Sequence, residues 1–91
     1  MAVVCVRGPL RTLAGGRGEH ELQGATLLEL MRGFERANPD ATGWILDERG
    51  LIRRHINVFV NGEDIRFLKH LDTPLQARDE VSIVPAIAGG R

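Results

Sequence analysis

A single amphipathic helical segment stands among several β-type segments in this chain, and this imbalance limits how a core can form. Thr26 and Glu29 have the spacing of a capping box, so a helix should begin directly after Thr26. The apolar residues that follow recur three and four positions apart: Leu27, Leu30, Met31 and Phe34. This spacing predicts a helix over residues 27–37, which Asn38-Pro39-Asp40 ends. One such helix can cover only one face of a sheet.

Two β-type segments precede the helix and three follow it. Residues 2–6 are apolar on both faces, as expected of a central strand covered on both sides, and the polar residues 19–23 are typical of a strand near a sheet edge. The strongest segment is 55–60, in which alternate residues share a face. A return arm at 63–66 and a last strand at 81–84 complete the set.

Short glycine-containing motifs and one irregular segment connect these elements. Asn61-Gly62 is a strong hairpin signal, because both residue types tolerate positive φ. The glycine cluster 15–18 matches no phosphate-binding pattern and is interpreted as a hairpin loop between the first two strands. After the helix, Trp44, Ile45 and Leu46 are expected to pack a short turn onto the core.

The order β-β-α-β-β-β favours one arrangement, in which the single helix lies across one face of a mixed sheet of four to five strands. The first and last strands are then parallel neighbours at the centre of the sheet. This is an α+β architecture of the β-grasp, or ubiquitin-like, type. The 91 residues have room for one domain, which we place at 1–85. Pro85 weakens the ladder and helps the chain leave the sheet as a flexible tail, 86–91.

The residues do not indicate a catalytic or metal site of the chain's own. Cys5 lies within an apolar strand, where a free cysteine usually acts as a small inert hydrophobic residue. His20, His55 and His70 are scattered without metal-ligand spacing, so each is expected at the surface or at a sheet edge. The chain is therefore expected not to be an enzyme and to bind no metal.

Composition argues against several other classes of protein. Twelve Lys and Arg balance twelve Asp and Glu, and aromatic residues make up 4%, which is unlike a nucleic-acid-binding surface. No apolar run approaches the ~20 residues that a spanning helix needs, so no membrane partner is expected. No secretory leader is visible, and a single cysteine forms no internal disulfide, so a cytoplasmic location is expected.

The second half of the chain carries the most specific motifs. HINVFVNGEDIRFL (55–68), LDTP (71–74) and DEVSIVPAIAGG (79–90) stand in this order. With these motifs the chain resembles the MoaD/ThiS-type thiocarboxylate sulfur carriers, relatives of ubiquitin, over nearly its whole length. The segment 50–61 is similar to the longer branch of that family, which includes carriers that serve cysteine biosynthesis and molybdopterin-synthase small subunits.

The resemblance implies a reaction at the C-terminal tail. In the family an E1-like, ATP-dependent enzyme adenylates the carboxylate of a terminal glycine, which maps to Gly90. A sulfurtransferase activity then installs sulfur, and the thiocarboxylate passes to a sulfur-acceptor synthase. Gly89, Ala88 and Ile87 would form the slim tail that enters the partner. No bound cofactor is implied, because the activating partner uses the ATP.

The resemblance also implies docking through an apolar patch of the sheet. Phe59 and Val84 are the candidates, because each alternates with residues of the opposite face of its strand. The alternative is that Phe59 packs beneath the irregular segment 41–54. We favour docking.

Two residues depart from the family pattern. Arg78 stands where relatives commonly have glycine, which is acceptable if the turn before Asp79 needs no positive φ. Arg91 would hold the Gly90 carbonyl in an amide and leave no carboxylate to adenylate. Arg91 is then a precursor residue that a protease removes, a residue foreign to the natural sequence, or a sign that the carboxylate is unused. We favour the precursor interpretation, with a JAMM-type metalloprotease as the candidate processing partner.

Two other functions share this architecture. A ubiquitin-like modifier would use the same adenylate but would join Gly90 to lysines of other proteins. A plain ubiquitin-like interaction module would need neither Gly89 nor Gly90. The sulfur-containing product also stays open among cysteine, molybdopterin, thiazole, thiolated tRNA and secondary metabolites.

Overall fold

The structure is a computed structural model that describes residues 1–85. It contains five strands and two α-helices. In chain order these are β1 (Ala2–Val6), α1 (Gly8–Leu13), β2 (Glu19–Leu22), α2 (Leu27–Ala37), β3 (Ile56–Val60), β4 (Glu63–Asp64) and β5 (Glu80–Pro85). Three short 3₁₀ turns lie at Pro39–Ala41, Ile65–Phe67 and His70–Asp72.

The five strands form one mixed sheet in the order β2-β1-β5-β3-β4. Strands β1 and β5 are parallel neighbours at its centre, with Val4 opposite Val81, and every other pairing is antiparallel. The predicted β-grasp architecture, with the first and last strands paired in parallel, is therefore confirmed. The position of β2 at a sheet edge is confirmed as well.

Helix α2 covers one face of the sheet, with the limits that its spacing predicts. The Thr26 hydroxyl accepts a hydrogen bond from the Glu29 backbone N–H at 3.3 Å, and the Glu29 carboxylate accepts one from Ala25 N–H at 3.0 Å. Four apolar residues of α2 (Leu27, Leu30, Met31 and Phe34) are fully buried against the inward residues of the strands: Val4, Val6, Ile56, Val58, Val60, Val81 and Ile83.

The opposite face of the sheet has no helix of the described chain packed on it. Val3 and Cys5 of β1 point to that face and are only half-buried, so the expectation that β1 is covered on both sides is wrong. The physical reason is that the remaining apolar segments, including Leu10 and Ile45, join the same core as α2.

The connection between β1 and β2 contains a helix that the sequence analysis missed. Pro9 occupies the first turn of α1, and Leu10 enters the core. Gly15 and Gly16 both have positive φ and turn the chain after this helix, so the interpretation of 15–18 as a simple hairpin loop is corrected. Helix α1 has six residues and no side-chain N-cap, so its apolar spacing is too short to predict a helix.

Two segments near the third strand differ from expectation. Ile45 and Leu46 are buried as predicted, but Trp44 is 42% exposed and does not pack onto the core. The return arm ends as a strand after Asp64, whose carboxylate accepts a hydrogen bond from Arg66 N–H at 2.9 Å and begins a 3₁₀ turn. The local hydrogen bond competes with the ladder and shortens β4 to two residues.

Pro85 lies within β5 rather than beyond it. The Asn61 N–H donates to the Glu80 carbonyl at 2.7 Å, so hydrogen-bonded pairs along β3 and β5 alternate from that point. Ile56 and Pro85 form a pair that exchanges no hydrogen bonds. The absent N–H of Pro85 therefore costs the β3–β5 ladder nothing. The Pro85 nitrogen points instead to the β1 side, where the parallel ladder ends with Val6 opposite Ile83.

Arg78 adopts a positive φ of 72°, so the turn before Asp79 does need the left-handed conformation. We expect Arg78→Gly to raise the free energy of unfolding by about 0.5–1 kcal/mol, because glycine removes the Cβ strain. Arg78→Ala is the matched control, since it removes the same side chain and keeps the strain. Urea unfolding measures both variants, and equal stability of the two would contradict the argument.

Candidate functional site

The open face of the sheet, opposite α2, is the first part of the candidate site. We call it the outer face and define it by the half-buried residues that point there: Val3, Cys5, Asn57, Phe59, Ser82 and Val84. The strand register places Cys5, Ser82 and Phe59 side by side in one row across three strands. The outer face is therefore a continuous surface at the middle of the sheet.

Phe59 and Val84 lie on this outer face, where the sequence analysis placed them. Val84 is directly opposite Asn57, so it is a diagonal neighbour of Phe59 on the adjacent strand. The segment that follows α2 packs on the other face through Ile45 and Leu46, which leaves Phe59 half-buried rather than covered. This geometry is what docking requires, and docking itself stays a prediction.

Carboxylates surround the apolar centre of the outer face. Glu19 is opposite Cys5 and Glu21 is opposite Val3 on the edge strand β2. Asp64 is opposite Phe59 at the other edge of the sheet, but Arg66 pairs with it, with Nη2 and Oδ2 2.7 Å apart, so its charge is neutralised there. Charged rims of this kind steer and orient a partner of opposite sign. The outer face therefore suits a partner surface with basic residues on the side that meets β2.

Cys5 lies at the centre of the outer face and is poorly suited to act as a nucleophile. Burial raises the pKa of its thiol, and the nearby carboxylates of Glu19 and Glu80 raise it further, while Arg7 lowers it. The reactive species is the thiolate, so a raised pKa keeps this thiol protonated at neutral pH. The expectation that Cys5 is an inert residue agrees with this environment.

The three histidines are not brought together. His55 and His70 are exposed as expected, and His20 lies on the edge strand β2, although its side chain is buried against the core. The His20 ring meets the Phe34 ring edge-on at 5.2 Å, and its Nε2 lies 3.0 Å from the Arg17 carbonyl oxygen, which can only accept. His20 is a core residue that satisfies its polar atoms locally.

Within residues 1–85 no group of three or more His, Cys, Asp or Glu side chains is arranged to hold a metal ion. No helix in that part of the chain is both long enough and apolar enough to cross a membrane.

The structure brings together two motif segments that are far apart in the sequence. The Asn61 side chain donates to the Asp79 carboxylate at 3.1 Å and accepts from the Glu80 backbone N–H at 2.9 Å. Gln76 N–H also donates to Asp79, and these two hydrogen bonds lower the pKa of the Asp79 carboxyl. Asn61 thus forms the hairpin turn and also ties it to the start of β5.

The tail residues of the predicted site lie outside the described residues: Ile87, Ala88, Gly89, Gly90 and Arg91. The described chain ends at Pro85 on the central strand β5. Val84, the docking candidate, immediately precedes it. The outer face therefore extends to within one residue of the last described residue, Pro85.

Comparisons with known proteins cover nearly the whole chain. A profile described as the ThiS family matches residues 4–90. The sulfur carrier protein CysO of Mycobacterium bovis is 34% identical over 83 residues, which are 89% of each chain. Small archaeal modifier protein 3 of Haloferax volcanii is 36% identical over 66 residues, 72% of this chain and 71% of that protein.

A solved structure gives the same result at the level of the fold. The crystal structure of the Amycolatopsis orientalis BexX/CysO complex contains a chain that superposes with a TM-score of 0.90 and 36% sequence identity. The match covers 99% of this chain and all of that one.

Proposed function

This chain belongs to the ThiS family, and from that premise we propose that it is a sulfur carrier whose Gly90 carboxylate is converted to a thiocarboxylate. The observation that carries the proposal is the extent of the family match, which runs from residue 4 through Gly90 and so includes the tail. The CysO relatives, which are named as sulfur carriers, support the same function.

The proposed chemistry takes place at the tail in two steps. A carboxylate is a poor electrophile, so an E1-like enzyme first joins it to the α-phosphate of ATP and releases pyrophosphate. A sulfur nucleophile then attacks the acyl carbon and displaces AMP, which leaves the thiocarboxylate. The carrier itself binds no cofactor, and the reactions take place in the cytoplasm, where the activating partner has ATP.

The role of the domain in this proposal is to present the tail, while the activating enzyme supplies the catalytic groups. Cys5 on the outer face is kept protonated by its raised pKa. The activating enzyme would dock on Phe59 and Val84, and the sulfur-acceptor synthase would dock there afterwards. The complex of the Amycolatopsis carrier with BexX is consistent with such a heterocomplex. The product, such as cysteine or molybdopterin, depends on that acceptor.

Arg91 must be absent before the first step, because an amide at Gly90 has no free carboxylate. In the proposal a protease hydrolyses the Gly90–Arg91 bond, and a JAMM-type metalloprotease is the candidate. The slim residues Ile87, Ala88 and Gly89 would then allow Gly90 to enter the active site of the activating enzyme.

Mass spectrometry tests the proposed function directly. The chain ending at Gly90, incubated with ATP, an E1-like enzyme and a sulfur source, is expected to gain about 16 Da as oxygen is exchanged for sulfur. The chain that retains Arg91 is the matched control and should gain nothing unless a protease is added. An unchanged mass, where a known carrier reacts in parallel, would overturn the proposal.

A second candidate function is a protein modifier, which the similarity to small archaeal modifier protein 3 favours. The adenylate is the same, but the acceptor is a lysine ε-amine instead of a sulfur nucleophile. Recovery of isopeptide-linked adducts from cells, with Gly90 joined to lysine, would support this function.

A further inference from the structure

A groove of about 530 Å³ lies beside β3, at the edge of the sheet that faces away from β5. Neither Phe59 nor Val84, which the proposed function uses, lines this groove. Its apolar wall comes from the chain before β3, from β3 itself and from the segment after β4: Leu51, Ile52, Ile56, Val58, Ile65 and Leu71. Leu51 is 49% exposed, so the groove is open to solvent on that side.

Along this groove no strand among residues 1–85 pairs with the backbone of β3. Strand β4 pairs only with Phe59 and Val60, because it is two residues long. The alternation of hydrogen-bonded pairs with β5 directs the Val58 N–H and the Ile56 C=O toward the groove. In a parallel added strand, one residue donates its N–H to a C=O of β3 and accepts, through its own C=O, from the N–H two residues further along β3. The Ile56 C=O and the Val58 N–H have this spacing.

The charges around the groove favour an anionic occupant. Its lining contains Arg53, Arg54 and Arg66 against one carboxylate, Asp64, which gives a formal balance of +2 from three cations and one anion. Arg66 and Asp64 pair with each other, with Nη2 and Oδ2 2.7 Å apart. Arg53 donates to the Gly43 carbonyl, and Arg54 is exposed. Arg54 is thus well placed to contact a carboxylate of a bound segment.

We propose that this groove binds an extended segment of a partner protein, in which acidic and apolar side chains alternate, as an added strand beside β3. The backbone of the segment bonds to Val58 and Ile56, its apolar side chains enter the groove, and its carboxylates meet Arg54. Because Ile56 is opposite Pro85, strand β3 would lie between the added strand and the last described residue of the chain. The proposal requires neither the tail nor ATP, so it can fail or succeed independently of the proposed function.

The test uses the full chain and a capped synthetic hexapeptide in which glutamate and valine alternate. On titration followed by NMR, the Val58 amide hydrogen is expected to move downfield and to exchange more slowly with solvent, as a new hydrogen bond requires. N-methylation of the peptide at alternate positions should weaken binding about tenfold only when it removes the N–H that bonds to the Ile56 carbonyl. Methylation of the neighbouring residue, whose N–H points away, is the matched control.

Charge is tested separately on the protein. Arg54→Glu should weaken binding of the peptide at least about tenfold, whereas Arg36→Glu, an exposed change on α2, should not. Equal binding of a lysine-valine peptide, equal effects of both N-methylated peptides, or shifts away from residues 56–66 would each overturn the proposal. If the chain is a dimer in solution and the peptide converts it to monomers, a second copy of the chain is the occupant and the proposal is wrong.

Discussion

Gly24→Ala is expected to destabilise the fold by about 3 kcal/mol, because the added Cβ would meet backbone that cannot move easily. A Cβ at Gly24 would lie 2.8 Å from Leu30 N and 2.9 Å from Leu30 Cα, in the second turn of α2. Relief requires the chain after β2 to move away from the helix, and Leu27 and Leu30 are fully buried there. For a domain of this size the midpoint of thermal unfolding should fall by about 12–24 °C.

Gly33→Ala is the matched control for this prediction. Gly33 lies within α2, and the nearest atoms to a Cβ there, Arg36 Nη2 and Gln23 O, are both 3.9 Å away. Alanine should therefore stabilise the helix, by up to about 1 kcal/mol. Calorimetry or urea unfolding measures both variants. If the free energy of unfolding of Gly24→Ala lies within about 0.5 kcal/mol of that of the parent, the close approach of Gly24 to Leu30 is absent.

Phe59→Ala is expected to weaken binding of the E1-like activating enzyme by about 30-fold or more, while the carrier stays folded. An aromatic residue at the centre of an interface commonly contributes about 2 kcal/mol or more, which corresponds to that factor. The side chain lies on the outer face rather than in the core, so its removal should change the free energy of unfolding little. Titration calorimetry with the partner gives the dissociation constant of each variant.

Phe67→Ala is the control, because Phe67 is 80% exposed and belongs to the 3₁₀ turn after β4 rather than to the outer face. It removes the same side chain from a different surface and should leave the affinity unchanged. Equal losses for Phe59→Ala and Phe67→Ala would contradict docking on the outer face.

The elements that were predicted correctly are those whose signals are local and repeated. Helix α2 has a cap and two turns of apolar spacing, and its limits agree with the prediction. The Asn61-Gly62 turn has positive φ at both residues, as the hairpin signal requires. Helix α1 is not predicted because its six residues contain one fully buried apolar residue, Leu10, and one partly buried apolar residue, Leu13, which is too few to show a helical spacing.

The errors at single residues arise where burial depends on distant segments. His20 is 4% exposed because Phe34 of α2 packs against its ring, which no pattern near residue 20 reveals. Trp44 is exposed although its neighbour Ile45 is fully buried. At Arg78 the sequence leaves open whether the turn needs a positive φ, and the structure shows that it does, with a φ of 72°.

The sequence by itself determined helix α2, the hairpin turn, the order of these elements along the chain and the tail motif. The reason is that capping, periodicity and turn chemistry act over a few neighbouring residues. Only the tertiary structure decided which face of the sheet stays open, since that depends on every apolar segment joining one core. It also decided that Asn61 meets Asp79 across 18 residues of chain, and that residues 56–58 of β3 have no partner strand on the β4 side within the described part of the chain. Both follow from strand register and from the early end of β4, which are set by contacts between segments far apart in the sequence.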